Sequence, residues 1–233
     1  MAAESPGSPR LSNLSESQIG SPVEQFTFEG KTYSRSFLNY LRGLAFIKKH
    51  IDTGQIETVM EVGGGYGTLG EILLKCEEKD YFYLDVDIPP TGYIAAYYLK
   101  QVFGSQAIAS YGVTRDWEEI DLTKAKTTHR ATVVTPWQLP QVKGQIDLFV
   151  NFISFQEMEP DVVTNYIDHV NRLGATYVLL RNSTKGKKSV GRRIVRDDYI
   201  RLLSSFHLIA SDSFVFGGWS PTAESEVMIF RRK

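Results

Sequence analysis

Glu61 stands two residues ahead of Gly63 in the run TVMEVGGGYGTLGE (Thr58 to Glu71), where an acid, a cluster of glycines and a helical pattern follow in quick succession. Thr58 to Val62 is a short, mostly apolar run with β-branched residues and reads as a strand. Gly63 to Gly67 is too rich in glycine to continue it, and Thr68 to Cys76 has helical periodicity. Glycines at 63, 64, 65 and 67 let the backbone approach a ligand with no Cβ in the way, and a following helix offers unpaired amides at its first turn. Strand, glycine turn, helix and acid together predict a site for a ligand with polar groups.

Two cofactor classes use such a site. Gly65, Gly67 and Gly70 satisfy G-x-G-x-x-G, the dinucleotide fingerprint, which places a pyrophosphate at the positive end of a helix dipole. Glu61 argues the other way, since a carboxylate ending the first strand repels a pyrophosphate and attracts the ammonium of a methionine moiety. The order acid, x, Gly, x, Gly, x, Gly from Glu61 to Gly67 resembles motif I of the class I S-adenosylmethionine-dependent methyltransferases. Tyr81 to Val86 reads as a second strand ending at Asp87, where a carboxylate can accept hydrogen bonds from both ribose hydroxyls. NAD sites place an acid at similar spacing for the same reason, so Asp87 does not separate the two classes. Asp85, the neighbouring candidate, is expected on the opposite face of that strand.

A chain of 233 residues with 42% hydrophobic content predicts one globular domain, residues 23–233. Residues 1–22, rich in Ser, Pro, Gly and Glu, read as a disordered tail. A formal charge of −1 gives no global attraction to nucleic acid or membrane, so a charged partner has to be met by a local patch. The one cysteine, Cys76, leaves no internal disulfide and fits a reducing compartment. No apolar run approaches the ~18 residues of a membrane span and no signal sequence is recognised at the start, so the expectation is a soluble, cytoplasmic protein.

Ser36 to His50 carries apolar residues at helical spacing and reads as an amphipathic cap helix, with Tyr33, Arg35 and Tyr40 as residues that could touch a substrate or simply pack. Thr91 to Phe103 reads as a helix with Thr91 as N-cap. For the next strand, Ala131 to Thr135 is favoured over Ala107 to Tyr111 because it is more strongly β-branched, which makes 104–130 an insertion. Ile146 to Ser154 is a buried strand, Asp161 to Leu173 a helix stopped by Gly174, Ala175 to Arg181 a strand and Asp197 to Ser205 a helix. Phe206 to Phe216 and Glu226 to Arg232 close the chain as a strand pair joined by a loop with Gly217, Gly218 and Pro221. The expected fold class is α/β, a doubly wound, mostly parallel seven-stranded sheet of the Rossmann-like methyltransferase type.

Ligands of open α/β sheets bind beyond the carboxyl ends of the strands, which directs attention to Asn151, Ser154 and the following FQEM. EVGGGYG, the strand ending in Asp87-Ile88-Pro89, PWQLP, DLFVN and SFQEM together resemble the bacterial sugar O-methyltransferase family, over about Tyr40 to Asn182, with SFQEM the most specific part. The resemblance implies methyl transfer from S-adenosylmethionine to a hydroxyl of a sugar or glycoside. It marks Glu61, Gly63, Gly65, Tyr66, Gly67 and Asp87 as the cofactor cradle, and Asn151, within the strand Ile146 to Ser154, is a further cofactor-binding candidate. Glu157 is the candidate general base, with helix capping or binding of the methionine end as its other roles, and His129 is the second choice. Trp137 could stack on adenine, line the sugar site or pack in the core. In the basic run KGKKSVGRRIVR (Lys185 to Arg196), Arg192 and Arg193 offer bidentate donors to a phosphate or carboxylated sugar, against the plain reading of a solvated loop. No cluster of His, Asp and Glu has convincing metal spacing, so the sequence gives no support for metal dependence and leaves it open, and a small molecule rather than nucleic acid or membrane is the expected partner.

Overall fold

A computed structural model describes residues 5–186, 194–213 and 225–233. The chain divides into two compact units, Met1–Gly144 and Gln145–Lys233.

The first unit opens with a hairpin of β1 (Gln25–Phe28) and β2 (Lys31–Ser34), followed by α1 (Arg35–His50). Ser34 caps α1 by accepting from the Phe37 amide at 3.1 Å, and Phe37, Tyr40, Leu41, Leu44 and Ile47 form its buried stripe. The strand expected at Thr58 to Val62 is present with those bounds as β3, and all five residues are buried. Next come α2 (Thr68–Leu74), β4 (Phe82–Val86), α3 (Thr91–Phe103), β5 (Ile108–Ala109) and α4 (Tyr111–Thr114). Then follow β6 (Ile120–Asp121), α5 (Leu122–Thr128), β7 (Ala131–Val134) and β8 (Val142–Lys143), with β6 and β8 paired as a separate two-stranded ribbon. The main strands run β3-β4-β7-β5, every pair parallel. The β-branched run Ala131–Val134 wins the place beside β4, as its composition predicts.

The alternative strand forms as well. Ile108–Ala109 pairs with the outer side of β7, so 104–130 carries an edge strand and is not a simple insertion. Two residues suffice there because only one side needs a partner. α3 begins at Thr91 as expected, but Pro90 occupies its N-cap position and no side chain caps it.

Part of the segment expected as a disordered tail is packed. Leu11 and Leu14 are buried, Tyr33 donates its hydroxyl to the Leu14 carbonyl at 3.1 Å, and Lys75 Nζ donates to the Ser15 carbonyl at 2.7 Å. The Glu16 carboxylate accepts from both the amide and the hydroxyl of Ser34, and the Ser17 amide donates to buried Glu71 at 2.6 Å. Averaging composition over 22 residues hides these few groups, each of which has a specific partner.

The second unit contains β9 (Leu148–Phe152), α6 (Pro160–Arg172), β10 (Tyr177–Ser183), α7 (Arg196–Leu202), β11 (Phe206–Asp212) and β12 (Ser225–Arg232). Its strands run β11-β12-β10-β9, with β9 and β10 parallel and the last two antiparallel, the closing pair anticipated from sequence. The loop holding Gly217, Gly218 and Pro221 lies outside the described residues. β5 adds one strand to the seven expected, and the pairings of the main strands within the two units are mostly parallel.

Candidate functional site

The glycine turn between β3 and α2 is built from both ends. The Gly63 amide donates to the Val86 carbonyl at 2.9 Å, tying the turn to the end of β4, and Gly67 closes it with φ +82, a left-handed conformation that admits glycine at little cost. Gly65 has φ +63, and a Cβ placed there would meet nothing within 4 Å, so the space over this residue is open. Tyr66, between them, is 67% exposed. Asp87 binds the turn from the neighbouring strand end: its Oδ2 accepts from the Gly65 amide at 3.1 Å and its Oδ1 from the Ile88 amide at 2.7 Å. Burial raises the Asp87 pKa, and the two amides oppose that rise.

Behind the turn lie two more acids. Glu61 is fully buried and accepts from the hydroxyls of Tyr40 at 2.7 Å and Tyr83 at 2.5 Å. Asp85, its register partner on β4, is also fully buried, and neither of its carboxyl oxygens has a hydrogen-bonding partner. The Gly64 amide favours its charged form from outside hydrogen-bond geometry, while burial, then Glu61, then Asp87 push its pKa well above the ordinary value. The expectation that Asp85 faces away from Asp87 is therefore corrected. Residues two apart on a strand share a face, so 83, 85 and 87 form one column, close enough for their charges to interact.

Burial pushes Glu61 up from 4.5 to about 7, against the lowering effect of the hydrogen bonds from Tyr83 and Tyr40, with Asp87 adding to the rise. An acid that holds its proton more tightly when folded stabilises the protein below its unfolded pKa and loses that contribution as pH climbs through the folded value. The stability associated with Glu61 should thus decline between pH 4.5 and about 7, by about 3 kcal/mol, and Asp85 acts in the same direction. Denaturant unfolding across this range should show wild-type stability falling with rising pH and Glu61→Gln falling less. Parallel curves would contradict the assignment.

A cavity of about 460 Å³ opens beside the turn, walled by Asp87, Tyr93, Tyr97 and Lys100 on one side and by Tyr111, Val133 to Thr135 and Trp137 on the other. Trp137 and Tyr111 meet edge to face, with centroids 6.1 Å apart. Gln138 holds this wall: its Oε1 accepts from the amide and the hydroxyl of Thr135, both at 3.1 Å, and its Nε2 donates to Thr114 Oγ1 at 3.1 Å. Asp87 thus belongs to both the glycine turn and the cavity, the combination that a ligand with a polar middle and a flat apolar end requires.

In the second unit, the turn after β9 is held by buried amides. Asn151 Oδ1 accepts from the Phe155 amide at 3.2 Å and from Asn182 Nδ2 at 2.9 Å, while Asn151 Nδ2 donates to Ser154 Oγ at 2.6 Å. Asn182 Oδ1 accepts from the Gln156 amide at 3.2 Å, and Gln156 Oε1 accepts from the Ser183 amide at 2.6 Å. Ile153 sits in this turn at φ +71, ψ −38, a strained conformation for a β-branched residue that the amide network sustains. Glu157 ends the 3-10 helix Ser154–Glu157 and is exposed.

No protein-family model matches the sequence, and neither does any curated protein. Solved structures do resemble it. Magnesium protoporphyrin IX methyltransferase (ChlM) from Synechocystis PCC 6803 with bound SAH superposes with a TM-score of 0.54 at 12% identity, covering 85% of this chain and 83% of that one. The PH0226 protein from Pyrococcus horikoshii OT3 matches with a TM-score of 0.54 at 12% identity, over 86% and 92% of the two chains. Mitomycin 7-O-methyltransferase MmcR matches with a TM-score of 0.53 at 12% identity over 85% of this chain. The fold is that of the Rossmann-like methyltransferases. This chain spans 58% of the length of MmcR and 83% of that of ChlM.

Against this methyltransferase fold the anticipated residues sort clearly. Gly63, Gly65, Tyr66, Gly67, Asp87 and Trp137 come together around the turn and its cavity. Glu61 lies behind the turn, its oxygens occupied by two tyrosines, and not at an open surface where a ligand ammonium could meet it directly. Asn151 is a turn-builder with its amide engaged by the protein. His129 is not brought to the cavity: it precedes β7, at the amino end of a strand whose carboxyl end leads to Thr135 and Trp137, roughly 20 Å away at strand rise. It contacts Thr128 and the Trp117 ring there. Arg192 and Arg193 lie outside the described residues. Tyr33 and Arg35, possible substrate contacts by sequence, bind the Leu14 carbonyl and Glu24, while Tyr40 binds Glu61. Tyr83 and Gln138 were missed; the alternation 83, 85, 87 was the available signal for Tyr83. Among the described residues no group of three or more His, Cys, Asp or Glu could hold a metal ion, and no helix is long and apolar enough to cross a membrane.

Proposed function

We propose that this chain is an S-adenosylmethionine-dependent methyltransferase acting on a hydroxyl of a sugar or glycoside, with residues 23–233 working as one catalytic domain in the cytoplasm. The observation that carries the reading is Asp87, bonded to the Gly65 amide and lining the adjoining cavity. The fit to the cofactor rests on three features of the chain: open space over Gly65, a two-oxygen acceptor for a ribose diol at Asp87, and an aromatic wall at Trp137 and Tyr111 for a flat base. ChlM has been solved with SAM and with SAH, which supports the same ligand here. When bound, this cofactor supplies a methyl group activated on sulfur.

The rest is the work of the chain's own residues. Gly65 and Gly67 leave the backbone accessible, Asp87 fixes the ribose, and Gln138 keeps the Thr135 to Trp137 wall in place. Transfer to a hydroxyl is an in-line displacement favoured by alignment of the reactants. Glu157 takes the hydroxyl proton as the oxygen attacks, and Arg192 and Arg193 hold an anionic part of the acceptor. The sugar acceptor rests on the motif resemblance through SFQEM. MmcR and ChlM, named for mitomycin and a porphyrin, favour the second reading, transfer to another small molecule.

A panel of sugar, glycoside and aromatic acceptors tests the acceptor class, and Glu157→Gln tests the base. Activity should fall about a hundredfold or more, as expected for loss of a general base, with cofactor affinity held within a few fold. Unchanged turnover in Glu157→Gln would remove it from the chemistry.

A further inference from the structure

The glycine turn presents one feature that methyl transfer does not use. Asp85 is fully buried, both its oxygens lack a hydrogen-bonding partner, and its side chain is aimed at Gly64, where an added Cβ would stand 2.6 Å from Asp85 Oδ1. A buried carboxyl without partners is costly, and each such group in a native structure calls for an explanation. The titratable groups that face it are Glu61 from β3, Tyr83 from its own strand and Asp87 at the strand end; Tyr40 of α1 reaches the same cluster through Glu61. From β7 the register partner is Val133, which carries no charge. The cluster therefore holds three carboxyls with tyrosine hydroxyls and the Gly65 and Ile88 amides bound to Asp87, while Asp85 has only the Gly64 amide beside it, outside hydrogen-bond geometry.

We propose that Asp85 is a positioning residue that tunes the glycine turn to the charge of its ligand, holding a proton when the site is empty and releasing it when a ligand with a fixed positive charge occupies the turn. This inference rests on the methyltransferase reading and deepens it. The step is a simple ionisation: the O–H bond of the Asp85 carboxyl breaks, the proton passes to solvent buffer, and the carboxylate left behind would be stabilised by the added positive charge. S-adenosylmethionine carries a sulfonium that S-adenosylhomocysteine lacks, so the two ligands differ by the charge to which Asp85 responds.

Calorimetric titration of the full chain with each ligand, repeated in buffers of different ionisation enthalpy, counts the protons released on binding. For the wild type near neutral pH, S-adenosylmethionine should release more protons than S-adenosylhomocysteine. In Asp85→Asn that difference should vanish, and affinity for S-adenosylmethionine relative to S-adenosylhomocysteine should fall by about three- to tenfold, the range of up to one pKa unit of coupling. Binding of both ligands to the wild type with equal proton release overturns this inference alone, and needs no variant to fold. A proton difference that persists in Asp85→Asn assigns the proton elsewhere and also overturns it. Failure of both ligands to bind the wild type overturns the methyltransferase reading together with the inference built on it.

Discussion

Asp87→Ala should weaken S-adenosylmethionine binding by about 10- to 100-fold while leaving thermal stability close to that of the wild type. A hydrogen bond to a charged acceptor is worth about 1.5–3 kcal/mol, and a ribose diol offers two donors to one carboxylate. Part of this gain is already spent in the free protein, where the carboxylate accepts from the Gly65 and Ile88 amides, which keeps the expected loss below the sum of two full bonds. The folded state has less to lose. Asp87 raises the pKa of both Glu61 and Asp85, so its removal relieves a repulsion that offsets the two lost amide bonds. Asp87→Asn, which keeps one acceptor oxygen, should fall between the two. Calorimetry with a parallel melting curve separates the effects, and an affinity within about twofold of wild type would remove Asp87 from the ribose site.

Gly70→Ala should reverse the usual sign of a glycine-to-alanine change in a helix. Alanine in a helix interior is ordinarily favoured by about 1 kcal/mol. Here a Cβ would stand 2.6 Å from Cδ1 and Cε1 of Tyr83, which is fully buried and held at its far end by the bond from its hydroxyl to Glu61. The ring has no free direction in which to retreat, and overpacking of this kind costs about 1–3 kcal/mol or more. A melting temperature lowered by about 4–8 °C is expected for a loss of about 2 kcal/mol in a chain of this size. Gly112→Ala serves as control, since its added Cβ would meet only Ser110 Oγ, at 4.0 Å, and should be nearly neutral. A Gly70→Ala protein as stable as the wild type would mean that Tyr83 is not locked.

Much of the turn was legible because its signals are local. A β-branched run, a glycine cluster and a helical period follow one another within Thr58 to Glu71, and the strand appears with the expected bounds. α3, β9, α6 and the closing strand pair were legible for the same reason. The parts that escaped depend on distant partners. Nothing near Glu61 announces that Tyr40 and Tyr83, from α1 and β4, will occupy its oxygens. Asn151 looked like a ligand residue from its place at a strand end, but its contacts run to Ser154, Phe155 and Asn182, and it shapes the turn that presents Glu157. His129 was judged by residue type before the strand end on which it falls was known. The two-residue edge strand Ile108–Ala109 was too short for a periodic signal to decide. The column 83, 85, 87 could have been read from alternation alone.

The central claim is that the glycine turn, Asp87 and the cavity beside them form an S-adenosylmethionine site. Calorimetric titration of the wild-type chain with S-adenosylmethionine and S-adenosylhomocysteine, with NADH as control, tests it most directly. Micromolar binding of the first two and none of NADH is the predicted result. Binding of NADH with neither of the others would contradict the claim and return the G-x-G-x-x-G pattern of Gly65, Gly67 and Gly70 to its dinucleotide reading.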